Sequence, residues 1–387
     1  MSNEEVYLGL IDWMKQVWFP LPDADKLLPI MKAGFTPEEA SLLTGIPVSG
    51  INLEELAEMK QMGPAELRLK LDVLAKKGAI FRIVEPDTIY YGLNDADNML
   101  RRFNFFPGLE DERTKAMAPL ANQYYYDSYD VWKHTHHKGL RTLPIEGTIE
   151  DTRQILPYEE VAKVLDTKGY FCVTTCPCRH RKNLDPDSPT CRHTTQNCLH
   201  FDGLGYYLVE NDMGREITRE EAHDILRQSA EEGLVHGLDN VQEGADTVCN
   251  CCRCCCSFLE AYYKLGHAEG LVPSNYRACP NTELCIGDGL CVKRCPMEAI
   301  QLEDSPEAKN RVTRVTDEKG KVKELKNKTG KVAVINTELC IGCGVCAHKC
   351  PTNSLVLERR EVITHPPKDG HELQKLIKAD FEAAKII

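Results

Sequence analysis

Cysteine is the residue type in this chain that is best suited to chemistry. The 387-residue sequence contains 19 cysteines, far more than packing alone would place there, and they lie in tight groups. One group has the spacing CxxCxxCxxxCP and consists of Cys340, Cys343, Cys346 and Cys350. Three thiolates on a tight loop with Gly342 and Gly344 can occupy three corners of a cubic iron–sulfur cluster, while the fourth points to a second cluster. The spacing thus predicts cluster binding rather than a disulfide scaffold.

A partial copy of this motif lies upstream. Its first cysteine, Cys285, precedes Cys340 by 55 positions. The pair of motifs resembles the bacterial two-cluster ferredoxins. The resemblance implies two [4Fe-4S] clusters in which the fourth cysteine of each half serves the other cluster. The implied ligand sets are Cys340, Cys343, Cys346 with Cys295, and Cys285, position 288, Cys291 with Cys350. Structural zinc is the alternative interpretation of these cysteines.

Asp288 stands where the ferredoxin family places a cysteine. A carboxylate is a harder and weaker ligand for iron than a thiolate, so we expect this corner to be labile. The second set is therefore predicted to hold either a four-iron cluster with Asp288 or water at one iron, or a [3Fe-4S] cluster. Cys279, six residues before Cys285, is a spare thiol, and the sequence leaves open whether it replaces Asp288 as the ligand.

A further group of cysteines lies upstream of the ferredoxin-like region. Four of them follow a predicted strand and form a plausible thiolate set: Cys176, Cys178, Cys191 and Cys198. Six more occupy eight consecutive positions: Cys249, Cys251, Cys252, Cys254, Cys255 and Cys256. This run contains the overlapping CxxC pairs 249/252, 251/254 and 252/255, each able to chelate two corners. We predict one or two additional clusters here, with zinc or persulfide chemistry as the alternative.

The order CPCR, then NCCRCCC, then a ferredoxin-like region is similar to that of a group of multicluster iron–sulfur proteins of anaerobes. The similarity implies electron relay and no particular substrate. The heterodisulfide-reductase pattern contains the tripeptide CCG. The run differs from it because Arg253, and not glycine, follows Cys251 and Cys252. Neither a GxGxxG turn after a strand nor a phosphate loop is readable, so no flavin or nicotinamide is expected.

These observations predict a subunit that passes single electrons between a low-potential donor and a catalytic partner in anaerobic metabolism. Its partners would be redox proteins or the catalytic subunits of an oxidoreductase complex. Two alternatives stay open. One is a reductase that binds substrate at an open cluster iron, and the other is a redox-sensing regulator. The sequence does not decide whether the chain is itself an enzyme.

The elements that carry the cysteines predict an α+β, multidomain chain. Residues 1–98 resemble a winged helix, with a helix capped at Thr36, another from Pro64, and two strands around Pro86 and Asp87. The predicted divisions are 1–98 (winged-helix-like), 99–155 (an irregular, aromatic-rich connector), 156–276 (central cysteine-rich module), 277–358 (two-cluster ferredoxin-like domain with an inserted hairpin at 304–333) and 359–387 (helical tail).

Charge restricts the partners that this chain can have. The net charge of −12 opposes nonspecific binding to nucleic acid. From Lys309 to Lys331 the balance is reversed, with nine Lys or Arg against three Asp or Glu. This hairpin is either a docking site for an acidic redox partner or a solvated surface element. No secretory signal and no apolar run of about 20 residues is readable, so the cytoplasm is the expected compartment and no nucleic-acid partner is expected.

Overall fold

The computed structural model describes residues 2–18, 20–85, 88–266, 270–316 and 319–386. The chain divides into two compact units. The first unit comprises Met1–His136, Tyr170–Ile217 and Lys375–Ile387, and the second unit comprises His137–Gly169 and Thr218–Gln374. None of the described helices is long and apolar enough to cross a membrane.

Helices and strands alternate along the chain, with short 3-10 or π turns between some of them. The α-helices are α1 (Asn3–Val17), α2 (Ala24–Gly34), α3 (Pro37–Leu43), α4 (Leu53–Lys60), α5 (Pro64–Lys76), α6 (Glu112–Trp132), α7 (Val161–Asp166), α8 (Pro177–Leu184), α9 (Asp202–Glu210), α10 (Arg219–Glu232), α11 (Ser257–Leu265), α12 (Leu290–Arg294), α13 (Val345–His348) and α14 (Gly370–Ala383). The strands are β1 (Ile51–Asn52), β2 (Ile80–Glu85), β3 (Thr88–Leu93), β4 (Leu140–Leu143), β5 (Phe171–Thr175), β6 (Gln196–Phe201), β7 (Arg215–Glu216), β8 (Val235–Asp239), β9 (Thr247–Cys251), β10 (Tyr276–Pro280), β11 (Ile300–Asp304), β12 (Val312–Thr316), β13 (Val322–Lys326), β14 (Lys331–Ile335) and β15 (Leu355–Arg359).

The amino-terminal part of the first unit contains the predicted helices and strands. Thr36 and Glu39 form the predicted capping box of α3, and α5 buries Leu67, Leu71 and Leu74. Strands β2 and β3 pair antiparallel, with β1 on the other edge of β3. The predicted turn at Pro86 and Asp87 lies outside the described residues. The class of this region as a winged helix stays a prediction.

The prediction that residues 99–155 are irregular is wrong. Helix α6 spans 21 residues of this stretch and begins at Asp111, whose side chain accepts a hydrogen bond from the Thr114 amide. Pro119 lies inside the helix and aromatic residues crowd its second half, and both features weaken a helical pattern in sequence. Packing decides the outcome, because α6 buries Met117 and Ala121 in the core of the first unit.

The remaining strands of the first unit form an antiparallel group in which β5 pairs with β6 and with β7. The short helix α8 follows β5 directly and has Pro177 at its first position. Cys176 is therefore the residue that precedes α8, and Cys178 lies in its first turn. Cys198 lies in β6 opposite Thr174 of β5.

In the second unit, β4, β8 and β9 form an antiparallel sheet in which β8 is central. Helix α10 is capped by Thr218 before its first residue and is followed by Gly233, which has a left-handed backbone. A 3-10 turn at Pro157–Glu159 and the short helix α7 lie at the start of the predicted central module.

Residues 276–359 of the second unit form two related halves. Strand β10 pairs with β15, and β11 pairs with β14, so each two-stranded sheet joins one strand from each half. Helices α12 and α13 hold equivalent places in the two halves. Strands β12 and β13 lie between β11 and β14 in the chain, within the residues predicted to form the inserted hairpin, and they pair antiparallel.

The end of α10 packs on these two halves through polar contacts. Arg294 donates hydrogen bonds to the carbonyl oxygens of Ala230 and Val345, at 3.1 and 3.2 Å. The Glu231 carboxylate accepts from His348 at 3.0 Å and forms an ion pair with Lys349. These contacts attach the end of α10 to α12, to α13 and to the residue that follows α13.

Candidate metal centres

The first candidate centre is a cavity lined by residues of both halves of 276–359. Its lining includes the four cysteines of the first predicted set, Cys295, Cys340, Cys343 and Cys346. Ala278, Met297, Ile341 and Leu357 complete an apolar wall. The structure thus brings Cys295 of one half together with three cysteines of the other, and four thiols are the donor set that suits a [4Fe-4S] cluster.

The loop that carries Cys340 and Cys343 follows a path that only glycine permits at position 342. Gly342 has φ +68°, and a Cβ there would lie 2.1 Å from the Tyr276 carbonyl oxygen. Ser274 donates from Oγ to the Gly342 carbonyl at 2.8 Å, and the Ile145 amide donates to the Cys343 carbonyl at 3.1 Å. These bonds hold the loop close to the strands and aim its sulfur atoms into the cavity.

Amide donors and two arginines stand beside the sulfurs of this first centre. The Ala299 amide donates to Cys295 Sγ at 3.3 Å, and the Ala278 amide donates to Cys340 Sγ at 3.5 Å. Arg294 lies near Cys343 and Cys346, and burial lowers its pKa. Arg360 lies near Cys340, donates to its carbonyl oxygen, and has a pKa that burial also lowers. Donors and cations of this kind stabilise an anionic cluster.

Burial also acts on the thiols themselves. It raises the pKa of Cys343 and of Cys346, because the surrounding apolar wall solvates a thiolate poorly. A metal that binds there must therefore displace the thiol protons, and its binding is coupled to pH.

The second candidate centre is a further cavity lined by residues of both halves. The residues that line it include Cys285, Asp288, Cys291 and Cys350, the second predicted set. Burial raises the pKa of Cys291 to about 11. The donor set is three thiols and one carboxylate, which suits a three-iron cluster, or a four-iron cluster with an oxygen ligand at one corner.

Cys279 is placed differently from Asp288. It belongs to β10, where it pairs with Val356, and it is not among the described residues that line the second cavity. Burial and a hydrogen bond with Glu358 raise its pKa. The neighbouring residue Ala278 lines the first cavity instead, so the alternation of the strand turns Cys279 to the other face.

The inserted hairpin fastens the loop of the second centre. Asn327, at the base of the hairpin, is fully buried and donates from Nδ2 to the carbonyl oxygens of Cys285 and Lys331, at 3.0 and 2.9 Å. Thr329 donates to the Gly287 carbonyl at 3.1 Å. A Cβ on Gly287 would lie 2.2 Å from Thr329 Oγ1, so this turn also depends on glycine.

The run of six cysteines in the second unit separates into two groups of three. Cys249 and Cys251 lie on one face of β9, and Cys251 makes side-chain hydrogen bonds with both Cys249 and Cys256, which raise its pKa. The sulfurs of Cys252, Cys254 and Cys255 lie within 4.8 Å of one another. The two cysteines of the pair 249/252 therefore belong to different groups, and so do those of the pair 251/254. The two cysteines of the pair 252/255 belong to the same group.

The first unit contains the predicted set 176, 178, 191 and 198, together with Cys172 of β5. Cys176 and Cys178 are hydrogen-bonded to each other, and this contact together with burial raises the pKa of Cys176. Cys191 is buried and its amide donates to Asn183 Oδ1 at 2.8 Å. Cys198 is also buried. Metal binding by this set stays a prediction.

Two cysteine-lined cavities between related halves are the arrangement of a two-cluster ferredoxin-type domain. Residues 284–354 match the family model of the 4Fe-4S dicluster domain. A stretch of 69 residues is 39% identical to Ferredoxin-3 of Rhodobacter capsulatus and covers 18% of this chain and 66% of that protein. No solved structure matches the chain. The chain therefore contains a ferredoxin-type dicluster domain and is an iron–sulfur protein.

Several residues that support the first centre were missed by the sequence analysis. Ile145, Ser274, Arg294 and Arg360 lie near the loop or its sulfurs, and none of them was singled out with the cysteines of the motif. Arg294 is adjacent to Cys295, and its charge next to a ligand is a signal that could have found it. Ile145 lies almost 200 residues before Cys343, and no sequence signal connects them.

Proposed function

We propose that this protein is an iron–sulfur electron-transfer subunit that relays single electrons between a low-potential donor and a catalytic partner. The observation that carries the proposal is the pair of cavities, each lined by sulfur donors from both halves of the dicluster domain. We further propose an oxidoreductase complex of anaerobic metabolism in the cytoplasm as its setting. Anaerobic purification from the native host, with identification of the chains that co-purify, tests that setting.

In this proposal the first centre is a complete four-thiolate site. Cys295, Cys340, Cys343 and Cys346 would hold a [4Fe-4S] cluster, which when bound takes up and returns one electron at a time. The chain contributes the thiolates, the apolar wall that keeps water out, and the amides and arginines that favour the more negative, reduced state. The chemistry of the donor set supports this assignment.

The second centre is proposed to use Asp288 as its fourth ligand. Asp288 lines the cavity with the three cysteines, whereas Cys279 is engaged with Glu358 on the other face of β10. Because a carboxylate holds iron weakly, the iron at this corner should be the first to leave on oxidation, which gives the [3Fe-4S] form.

Replacement of the carboxylate tests this arrangement directly. In oxidised wild-type protein we expect the EPR signal of a three-iron cluster. In the Asp288→Cys variant we expect that signal to disappear and the iron content to rise by about one atom per chain. The Cys279→Ser variant is the control and should resemble the wild type. An EPR spectrum that D288C leaves unchanged, or that C279S alters, would refute the assignment.

The basic hairpin is the proposed contact for an acidic redox partner. Lys321, Lys323 and Lys326 are exposed on β13 and its turn, and the hairpin base contacts the loop of the second centre through Asn327. Charge of this sign would steer an acidic protein toward the second centre.

Charge reversal at those three lysines should lower the rate of electron transfer with an acidic ferredoxin. It should also make that rate less dependent on ionic strength. Reversal of the exposed Lys378 on α14 is the matched control. If both variants behave like the wild type, the hairpin is a solvated element without a docking role.

The amino-terminal residues 1–98 are proposed to form a winged-helix-like docking domain rather than a nucleic-acid reader. The order of α4, α5, β2 and β3 supports the likeness, and the acidic chain disfavours phosphate binding. A DNA mobility-shift assay at low salt, with oxidised and with reduced protein, tests it. A shift would favour the regulator instead.

A further inference from the structure

We propose that Cys249, Cys251 and Cys256 hold a further iron–sulfur cluster, placed beside the first centre so that the second unit carries a relay of three. We call these residues the β9 triad. This inference rests on the proposed electron-transfer function and adds the site that connects the dicluster domain to the sheet of the second unit.

The strand and helix on either side of the turn position the β9 triad. Residues two apart on a strand point to the same face, so Cys249 and Cys251 project together from β9, opposite Gly237 and Val235 of β8. The chain then makes a turn, closed by a hydrogen bond from the Cys256 amide to the Cys252 carbonyl at 3.1 Å. The turn brings Cys256 back to Cys251, which contacts both other members of the triad.

The electrostatic setting of the β9 triad suits an anionic cluster. Cys256 is the residue that precedes α11, a helix of nine residues. Helix amino termini carry a partial positive charge that stabilises thiolates and negatively charged groups. Cys251 contacts both Cys249 and Cys256, so the triad offers three thiols, the number that the loop of a ferredoxin half supplies to one cluster.

The β9 triad shares a hydrophobic core with the first centre. Cys251 and Cys256 pack in the same cluster of side chains as Cys295, Cys340 and Cys343, together with Met297 and Ile341. Met297 and Ile341 also line the cavity of the first centre. Two members of the β9 triad and three ligands of the first centre therefore belong to one continuous hydrophobic cluster.

An ion pair attaches the turn of the cysteine run to the dicluster domain. Arg253 binds the Glu298 carboxylate, and Glu298 lies three residues after Cys295. Both side chains are about half exposed, so the pair contributes little energy, but it fixes the turn against the loop that carries a ligand of the first centre.

The proposed step is the transfer of one electron between the first centre and the β9 triad. The donor centre is oxidised by one electron and the acceptor centre is reduced by one, and no bond forms or breaks. The reductant is the protein that delivers electrons to the dicluster domain, an acidic low-potential iron–sulfur or flavin protein.

Iron counting on serine variants of the full-length protein tests the site. We expect Cys251→Ser and Cys256→Ser each to lose about four iron atoms per chain, and the double variant to lose the same number, because both residues serve one cluster. Cys172→Ser is the control, since Cys172 is buried in β5 with a pKa raised to about 12 by desolvation and should remain a thiol. The dicluster EPR signals should persist in all variants, which also shows that the chain is folded.

Three results would overturn the inference. They are an unchanged iron content in both single variants, a double variant that loses twice as much iron as either single one, and zinc in place of iron in the wild type. The proposed function fails separately. If the C251S variant contained no iron at all, the dicluster domain would be empty and the proposed function would fail. If the wild type and every variant contained about eight iron atoms per chain, the dicluster relay would stand and the β9 triad would be refuted.

Discussion

The two halves of the dicluster domain have the same backbone scaffold but differ in one of their candidate metal-ligating residues. Positions 55 residues apart correspond, so that Cys285 matches Cys340, Cys291 matches Cys346 and Cys295 matches Cys350. The exception is Asp288, whose counterpart is Cys343. The repeat therefore keeps the turn geometry of both loops and changes the chemistry at one corner of one centre.

The surroundings of the two centres differ as well. The first centre has two arginines beside its sulfurs and is braced by Ser274 and Ile145. The second has a carboxylate in its donor set and is braced by the inserted hairpin through Asn327. Cations favour a reduced cluster, so we expect the first centre to have the higher reduction potential. A shared backbone thus surrounds the two candidate centres with different charges.

The largest expected contrast lies at the position where the halves differ. The Cys343→Ser variant removes a thiolate from a complete set and should lose about four iron atoms per chain, whereas Asp288→Ala should lose at most about one. Iron and sulfide analysis of anaerobically purified variants measures both. Equal losses would mean that the two corners hold iron equally well, and the asymmetry would be refuted.

The glycines of the two loops should instead respond alike. Gly342→Ala and Gly287→Ala each force a Cβ to within about 2 Å of packed atoms on a left-handed backbone. We expect each to destabilise the domain by about 2–4 kcal/mol, from overpacking and left-handed strain together. Gly320→Ala is the control, because its φ is +76° but its Cβ would meet nothing within 4 Å.

Denaturant unfolding monitored by cluster absorbance gives these stabilities. G320A should cost only the conformational term, about 1–2 kcal/mol. A G342A variant no less stable than G320A would show that the close approach to Tyr276 is not required.

The braces of the two loops offer a finer contrast. Asn327→Ala leaves the Cys285 carbonyl without its buried donor and should cost about 1–3 kcal/mol, with faster iron loss from the second centre. Ser274→Ala should do the same to the first centre through the Gly342 carbonyl. Time courses of the two EPR signals under a chelator distinguish the centres. Loss of both signals at one rate in either variant would contradict separate bracing.

The smallest effect concerns reduction potential. The Arg294→Gln variant removes one charge near Cys343 and Cys346, which at protein-like dielectric is worth about 1 kcal/mol. That energy corresponds to a downward shift of about 40 mV for one electron, and only at the first centre. Redox titration of each EPR signal measures it. Arg314→Gln, exposed on the hairpin, is the control.

The sequence analysis was most successful where local spacing carries the information. The hairpin and the capped helix α3 were each predicted from a few adjacent residues, whereas the two cysteine sets that line the cavities followed from the resemblance to the two-cluster ferredoxins. Helix α6 was missed, because Pro119 and its aromatic residues obscure a helix that packing stabilises. The division of six neighbouring cysteines into two groups was also missed, since it depends on where β9 ends and α11 begins.

The exchange of a ligand between the halves has a consequence for how the protein is made. The first predicted set is complete only when Cys346 has left the ribosome, and the second only when Cys350 has. The cysteines of the upstream motif copy are therefore thiols without metal while the hairpin is synthesised. The β9 triad is complete within eight positions and does not wait. We expect iron to be inserted into the triad first, and the nascent chain, with its unmetallated thiols, to be the stage most vulnerable to oxygen.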